Sequence, residues 1–247
     1  MQSTYAAGTH LGRRENNEDS YVCDAEHGLW LVADGVGGLS LGEVASAISA
    51  YTLKTMIANG HGVHQAIETA HQRIQEYGKE HGSNLGTALV LLLSPGSLYN
   101  IFWAGDCRAY LFDGSLNLIT HDHSHLQFLL DSGDVSEEEA AADPRKKGLT
   151  KVLGIQELET VRPDTISDRW KPEQKILLCS DGLSGCVSDE DIQQILRMEG
   201  TDQDRVDSLI EKALSEGGQD NITAILVSPP PSALEPTDDD TAVPDDL

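Results

Sequence analysis

Five carboxylates stand where an acidic side chain could do chemistry. Asp34 and Asp181 each follow a short apolar run and precede a glycine, in Leu29-Trp30-Leu31-Val32-Ala33-Asp34-Gly35 and Lys175-Ile176-Leu177-Leu178-Cys179-Ser180-Asp181-Gly182. Asp220 sits in the glycine turn Gly217-Gly218-Gln219-Asp220-Asn221, just before another apolar run. Glu18 and Asp19 close a polar loop between the first two strand-like segments. A carboxylate at the end of a buried strand is anchored by the sheet and faces its open end. Oxygen-only ligands select hard cations such as Mg²⁺ or Mn²⁺ over zinc. Two such ions about 4 Å apart would activate a water and clamp a phosphoryl oxygen. Neighbouring carboxylates without a cation would disfavour one another.

Other readings of the stretch around Asp34 compete with this one. Its glycines follow the order G-x-G-G-x-x-x-G through Gly35, Gly37, Gly38 and Gly42, not the G-x-G-x-x-G of a dinucleotide site. A lone Asp-Gly after a strand is most simply a turn. Spacing alone leaves these alternatives open, because it does not say whether the carboxylates converge.

The elements that must position them can be read from periodicity. Strand character marks 4–10, 21–25 and 29–33, and helix character runs from 42 to about 59. A second helix carries the stripe Val63, Ala66, Ile67, Ala70, Ile74 and Tyr77; His64, His71 and His81 in this region read as solvated. The run 87–93 is nearly all apolar and so should be a central strand, followed by strands at 98–104 and 108–112. After Thr120-His121-Asp122-His123-Ser124-His125 comes a short helix ending near Gly133, and Ser136 with Glu139 starts another. A strand at 175–180 precedes helices capped by Ser188 with Asp191 and by Thr201 with Asp204; a last strand spans 222–227.

Bulk properties narrow the class. The chain has 247 residues, enough for one large domain with a substantial core. No apolar run approaches the roughly 18 residues of a membrane span, and the N-terminus lacks the layout of a secretory signal. Cys23, Cys107, Cys179 and Cys186 form no C-x-x-C pair and read as reduced thiols of a cytoplasmic protein. A formal net charge of −24 argues against nucleic-acid or anionic-membrane binding. It also means that any phosphate site needs local cations. The basic patch Arg145-Lys146-Lys147 stands out against that background, and the acidic, proline-rich segment 229–247 reads as a disordered tail.

A series of short motifs runs in order through the chain. They are Arg14-x-x-Asn17-Glu18-Asp19, Val32-Ala33-Asp34-Gly35-x-Gly37-Gly38, Gly86-Thr87, Gly105-Asp106-x-Arg108, Asp122-His123-Ser124, Leu149-Thr150-x-x-Leu153-Gly154, Ser180-Asp181-Gly182-Leu183 and Gly217-Gly218-x-Asp220-Asn221-Ile222-Thr223. Each is weak alone. Together they resemble the metal-dependent protein serine/threonine phosphatases, the PPM or type 2C family, in its compact bacterial form.

The resemblance implies an α+β fold, a four-layer αββα sandwich over 1–228, with a flap at about 124–168. It implies a metal centre holding two Mn²⁺ or Mg²⁺ ions, with a weaker third. Asp34 would bridge the two ions, the Gly35 carbonyl would add a ligand, and Asp181 and Asp220 would complete the first site. Glu18 and Asp19 would act through water, and Asp122 would serve the third ion. Arg14 would bind the substrate phosphate, its planar fork suiting bidentate recognition. The implied reaction is hydrolysis of phosphoserine and phosphothreonine in proteins by a water activated between the ions, opposing a bacterial Ser/Thr kinase. The expected protein is a cytoplasmic monomer that enters no membrane and binds no nucleic acid. Arg145, Lys146 and Lys147, inside the flap, are either a solvated charge run or a contact for the phosphoprotein.

Departures from the family pattern spare every implied ligand. Cys107 replaces a common serine, Leu39 follows the double glycine where histidine is frequent, and Val36 stands where the eukaryotic branch has a histidine. Ala88 replaces the second of two threonines. The leaving-group proton must then come from water or from another residue such as His10 or His123, the latter read as a structural residue at the flap base. A catalytically inactive phosphoprotein-binding module of the same fold is the alternative. A zinc site at His121, Asp122, His123 and His125 does not match the order of metallo-hydrolase motifs.

Overall fold

The computed structural model describes residues 3–36, 41–133, 135–145 and 148–231. The chain opens with strands β1 (Tyr5–His10), β2 (Asp19–Asp24) and β3 (Leu29–Val36), then helices α1 (Gly42–Ala58) and α2 (Val63–His81). Strands β4 (Gly86–Leu93), β5 (Leu98–Ala104), β6 (Arg108–Phe112) and β7 (Leu116–Leu118) follow. Helices α3 (His125–Ser132) and α4 (Glu137–Ala142) form the excursion before β8 (Asp164–Arg169) and β9 (Lys175–Cys179). Helices α5 (Asp181–Ser184), α6 (Asp189–Leu196) and α7 (Asp202–Ser215) lead into β10 (Ile222–Val227).

The strands make two antiparallel five-stranded sheets, ordered β1-β10-β9-β6-β7 and β2-β3-β4-β5-β8. Strand alternation explains the layers. Leu29, Leu31 and Ala33 of β3 face α1 and α2, while Trp30 and Val32 face the other sheet. Leu177 and Leu226 meet α6 and α7, and Ile176, Leu178, Ile225 and Val227 fill the layer between the sheets. Strands covered on both faces read as continuous apolar runs, as these do. Each fully buried Leu or Ile stabilises the fold by about 1.5–3 kcal/mol. The result is the αββα sandwich the motifs imply, and β4, between β3 and β5, is central.

Ser188 accepts from the Asp191 amide, and Thr201 with Asp204 forms a complete capping box. Ser136 and Glu139 bond reciprocally before α4. All four cysteines are free thiols, and Cys107 is fully buried. Strands β5 and β6 are neighbours in sequence yet lie in different sheets, so Gly105-Asp106-Cys107 crosses from one to the other. Residues 164–168, inside the expected flap, belong to the edge strand β8. Gly37, Gly38, Leu39, Lys146 and Lys147 lie outside the described residues, as does most of the acidic tail.

His71 corrects its reading as a solvated residue. It is fully buried, its Nδ1 accepts from the Gly154 amide at 2.8 Å, and Nε2 meets the Leu158 carbonyl at 3.1 Å. An accepting Nδ1 requires the proton on Nε2, so the ring clasps the return leg of the excursion as a neutral tautomer. The helical stripe could not reveal this, because the ring's partners are more than 80 residues away. Gln75 also donates to the Leu158 carbonyl, so His71→Leu strands only the Gly154 amide. We expect that variant to lose about 1–3 kcal/mol in urea denaturation; an unchanged midpoint would show that the clasp contributes nothing.

Candidate active site

The carboxylates converge because two sheets end at the same place. Register pairs Asp19 of β2 directly with Asp34 of β3. From the other sheet, Asp181 opens α5 just after β9, and Asp220 lies two residues before β10. Arg14, Glu18, Asp34, Gly35, Asp122, Asp181 and Asp220 line one cleft of about 620 Å³. Asp19 stands behind it, nearly buried.

Asp19 joins the two sheets. Its Oδ2 accepts from Ser180 Oγ at 2.8 Å and from Thr223 Oγ1 at 2.6 Å, both in the opposite sheet. Its Oδ1 is buried with no hydrogen-bond partner, as is Oε2 of Glu43 at the start of α1. Burial raises the Asp19 pKa to about 6 against the pull of those two hydroxyls, with Asp181 and Asp220 adding repulsion. Asp34 is raised well above the carboxylate range by burial, then by Asp19, Asp181, Asp106 and Asp220.

Two glycines make the approach possible. A Cβ on Gly35 would fall 2.2 Å from the Gly42 carbonyl oxygen, and one on Gly42 would fall 2.8 Å from Glu18 Cδ. Backbone therefore packs on backbone beside the Glu18 carboxylate, and the Gly35 amide donates to the Glu18 carbonyl. Thr87 Oγ1 donates to the Asp34 carbonyl at 2.8 Å, fixing the strand end that carries the carboxylate.

Arg14 is the cation at the open end. Its Nη2 donates to Asp220 Oδ2 at 2.7 Å, and its side chain is half exposed. That hydrogen bond, opposed by partial burial and helped by Glu18 and Asp181, raises its pKa. Asp122 is differently placed. Arg108 grips both its oxygens, at 2.9 Å from Nε and 2.7 Å from Nη2, so a ligand role for Asp122 competes with an ion pair already made.

The residues present suit hard cations. Every donor is oxygen, two carboxylate oxygens are buried without partners, and negative groups outnumber Arg14 and Arg108 in the lining. Among the described residues no three His, Cys, Asp or Glu side chains close into a ready-made cage; the donors line the cleft.

A family model for protein phosphatase 2C matches residues 8–226. The chain belongs to the protein phosphatase 2C family. The serine/threonine phosphatase stp of Listeria monocytogenes serotype 4b is 35% identical over 236 residues, covering 89% of this chain and 93% of its own. The crystal structure of the serine/threonine phosphatase PstP/Ppp of Mycobacterium tuberculosis superposes with a TM-score of 0.83 at 32% identity, covering 93% of this chain and 99% of its own. The catalytic domain of PstP in complex with two manganese ions gives a TM-score of 0.80 at 32% identity, covering 92% and 97%. The enzyme class the motifs implied, protein phosphatase, is thus established for this chain.

Sequence reasoning on this phosphatase passed over three residues. Asn221 is the site's organiser: Nδ2 donates to the Leu11 and Asn16 carbonyls, and Oδ1 accepts the Glu18 amide. It ties the Arg14 loop to the entry of β10. Asp106 lines the cleft with its pKa raised to about 7 by burial, then by Asp181 and Asp122. Arg108 links the cleft to α6, since Nη1 donates to Tyr110 Oη, which donates to Asp189. The signal for all three was their place in the motifs. Of the candidate proton donors, His10 Nδ1 accepts from the Gly12 amide, while His123 accepts from the Gly105 amide and pairs with Asp164.

Proposed function

We propose that this phosphatase removes phosphate from phosphoserine and phosphothreonine in proteins with the help of divalent metal ions. The observation that carries the reading is the meeting of Asp19, Asp34, Asp181 and Asp220, from two sheets, beside the half-exposed guanidinium of Arg14. When bound, a pair of Mn²⁺ or Mg²⁺ ions supplies charge neutralisation and water activation.

The chain's own groups divide the remaining work. Asp34, Asp181, Asp220 and the Gly35 carbonyl would hold the ions directly, with Glu18 and Asp19 acting through water. Asp19 is itself oriented by Ser180 and Thr223. Arg14 binds the phosphate oxygens with its fork and stabilises their growing charge. For a weaker third ion we assign Asp106 ahead of Asp122, because Arg108 already occupies both oxygens of Asp122. Val36 lines the cleft without an acidic proton, so the leaving-group proton comes from water or from another residue of the site. The PPM domain is taken as 1–228, with 229–247 a solvating appendage. The cell context is a cytoplasmic monomer opposing a Ser/Thr kinase; no helix among the described residues is long and apolar enough to cross a membrane.

Hydrolysis of an aryl phosphate and of a phosphothreonine peptide, followed against Mn²⁺ and Mg²⁺ concentration, tests this. The expected result is saturable, metal-dependent release of phosphate that a chelator abolishes. A folded protein silent at every metal concentration would instead be a phosphoprotein-binding module.

A further inference from the structure

We propose that the flap side of the catalytic cleft is an apolar subsite for an aliphatic or aromatic side chain next to the phosphorylated residue of the substrate. The assignment rests on the phosphatase reading above. The cleft lining carries three large apolar side chains, Val36, Leu126 and Leu149, while the rest of it is acidic, basic or small. Val36 and Leu149 are backed by the core between the sheets. Leu149 lies opposite Ser124 in a β-bridge, flanked by backbone bonds from His125 N to Gly148 O and from Thr150 N to His123 O. Ser124 in turn caps α3, whose first turn carries Leu126. The wall is therefore fixed by main-chain bonds at its base.

The helix that extends this wall is not built for its own burial. Leu126, Phe128, Leu129 and Leu130 make half of its eight residues, yet none is buried, and Phe128 is 62% exposed. Among the described residues none of the four belongs to any of the three hydrophobic cores. Leu126 brings this helix to the edge of a cleft that must admit a peptide on either side of the phosphorylated residue. An apolar flanking side chain removes the surface of Leu126 and Leu149 from water.

Two phosphothreonine peptides test the subsite with Mn²⁺ present, identical except for Leu or Ser beside the phosphothreonine, placed on each side in turn; an aryl phosphate is the third substrate. The Leu peptide should be preferred in kcat/KM by about tenfold or more on one side, the discrimination an apolar pocket supplies. Leu126→Ser and Leu149→Ser should each bring that ratio to within about twofold of unity. A wild-type ratio near unity on both sides, or one that survives both substitutions, overturns the subsite. Turnover of the aryl phosphate with a flat peptide ratio removes the subsite and keeps the phosphatase. Silence on all three substrates removes the phosphatase reading and the subsite with it. The wild-type ratio decides even where a variant fails to fold.

Discussion

Asp34→Asn is expected to lower metal-dependent turnover by about three orders of magnitude or more, several kcal/mol of lost transition-state stabilisation. The same change should raise the melting temperature measured in chelator. Asp34 is raised well above the carboxylate range by burial and by four neighbouring aspartates. A carboxylate whose folded pKa is raised costs stability once pH exceeds its unfolded value of about 3.9. The amide keeps the shape and removes that cost, so near pH 7 the variant gains what the wild type lacks. Added Mn²⁺ should then raise the wild-type melting temperature and leave the variant's nearly unmoved. Opposite signs in activity and metal-free stability separate this from simple misfolding. A variant that melts lower in chelator would show that Asp34 is stabilised by its surroundings, against the repulsion argued here.

Arg14→Ala should reduce kcat/KM for phosphate esters by about 10²–10³-fold, the cost of losing one aimed donor at developing charge. Arg14→Lys should recover little, because a point charge cannot reproduce the bidentate fork. The side chain is half exposed and packs in no core, so the fold should be undisturbed. Arg14 also holds Asp220 Oδ2 at 2.7 Å, and its removal frees that oxygen. Mn²⁺ titration by calorimetry should therefore find affinity unchanged or tighter in Arg14→Ala while catalysis falls. Weaker Mn²⁺ binding would place Arg14 among the groups that support the ions instead of the phosphate.

What could be read from sequence followed local rules. Asp34 and Asp181 were visible because buried apolar runs ending in Asp-Gly are conspicuous, and Ser188 and Thr201 because caps have a fixed spacing. Strand β8 was not visible: Asp164–Arg169 holds one apolar residue, lies at a sheet edge and is exposed throughout. β7 is three residues long and gives no period to detect. At the site, the ligand candidates were legible and the groups that hold them were not. Asn221 works through main-chain partners about 200 residues away, and His71 through a loop whose position no periodicity reports. Asp106 is set apart by its burial beside Asp181, which its place in Gly105-Asp106-x-Arg108 does not report.

The pairing of β1 with β10 has a consequence for how the enzyme comes into being. Tyr5 lies opposite Val227 and His10 opposite Ile222, so the first strand of the domain finds its partner in the domain's last. Arg14 and Asp220 meet through the same closure. The β2-β3-β4-β5-β8 sheet draws on nothing beyond Arg169 and can assemble early, whereas its companion waits for the final strand. Contacts of such long sequence separation form late and slowly. A nascent chain therefore carries Asp19 and Asp34 on finished strands while Asp220 is still unmade. Catalysis begins only after synthesis has passed the end of β10, so an incomplete copy cannot strip phosphate from proteins around it.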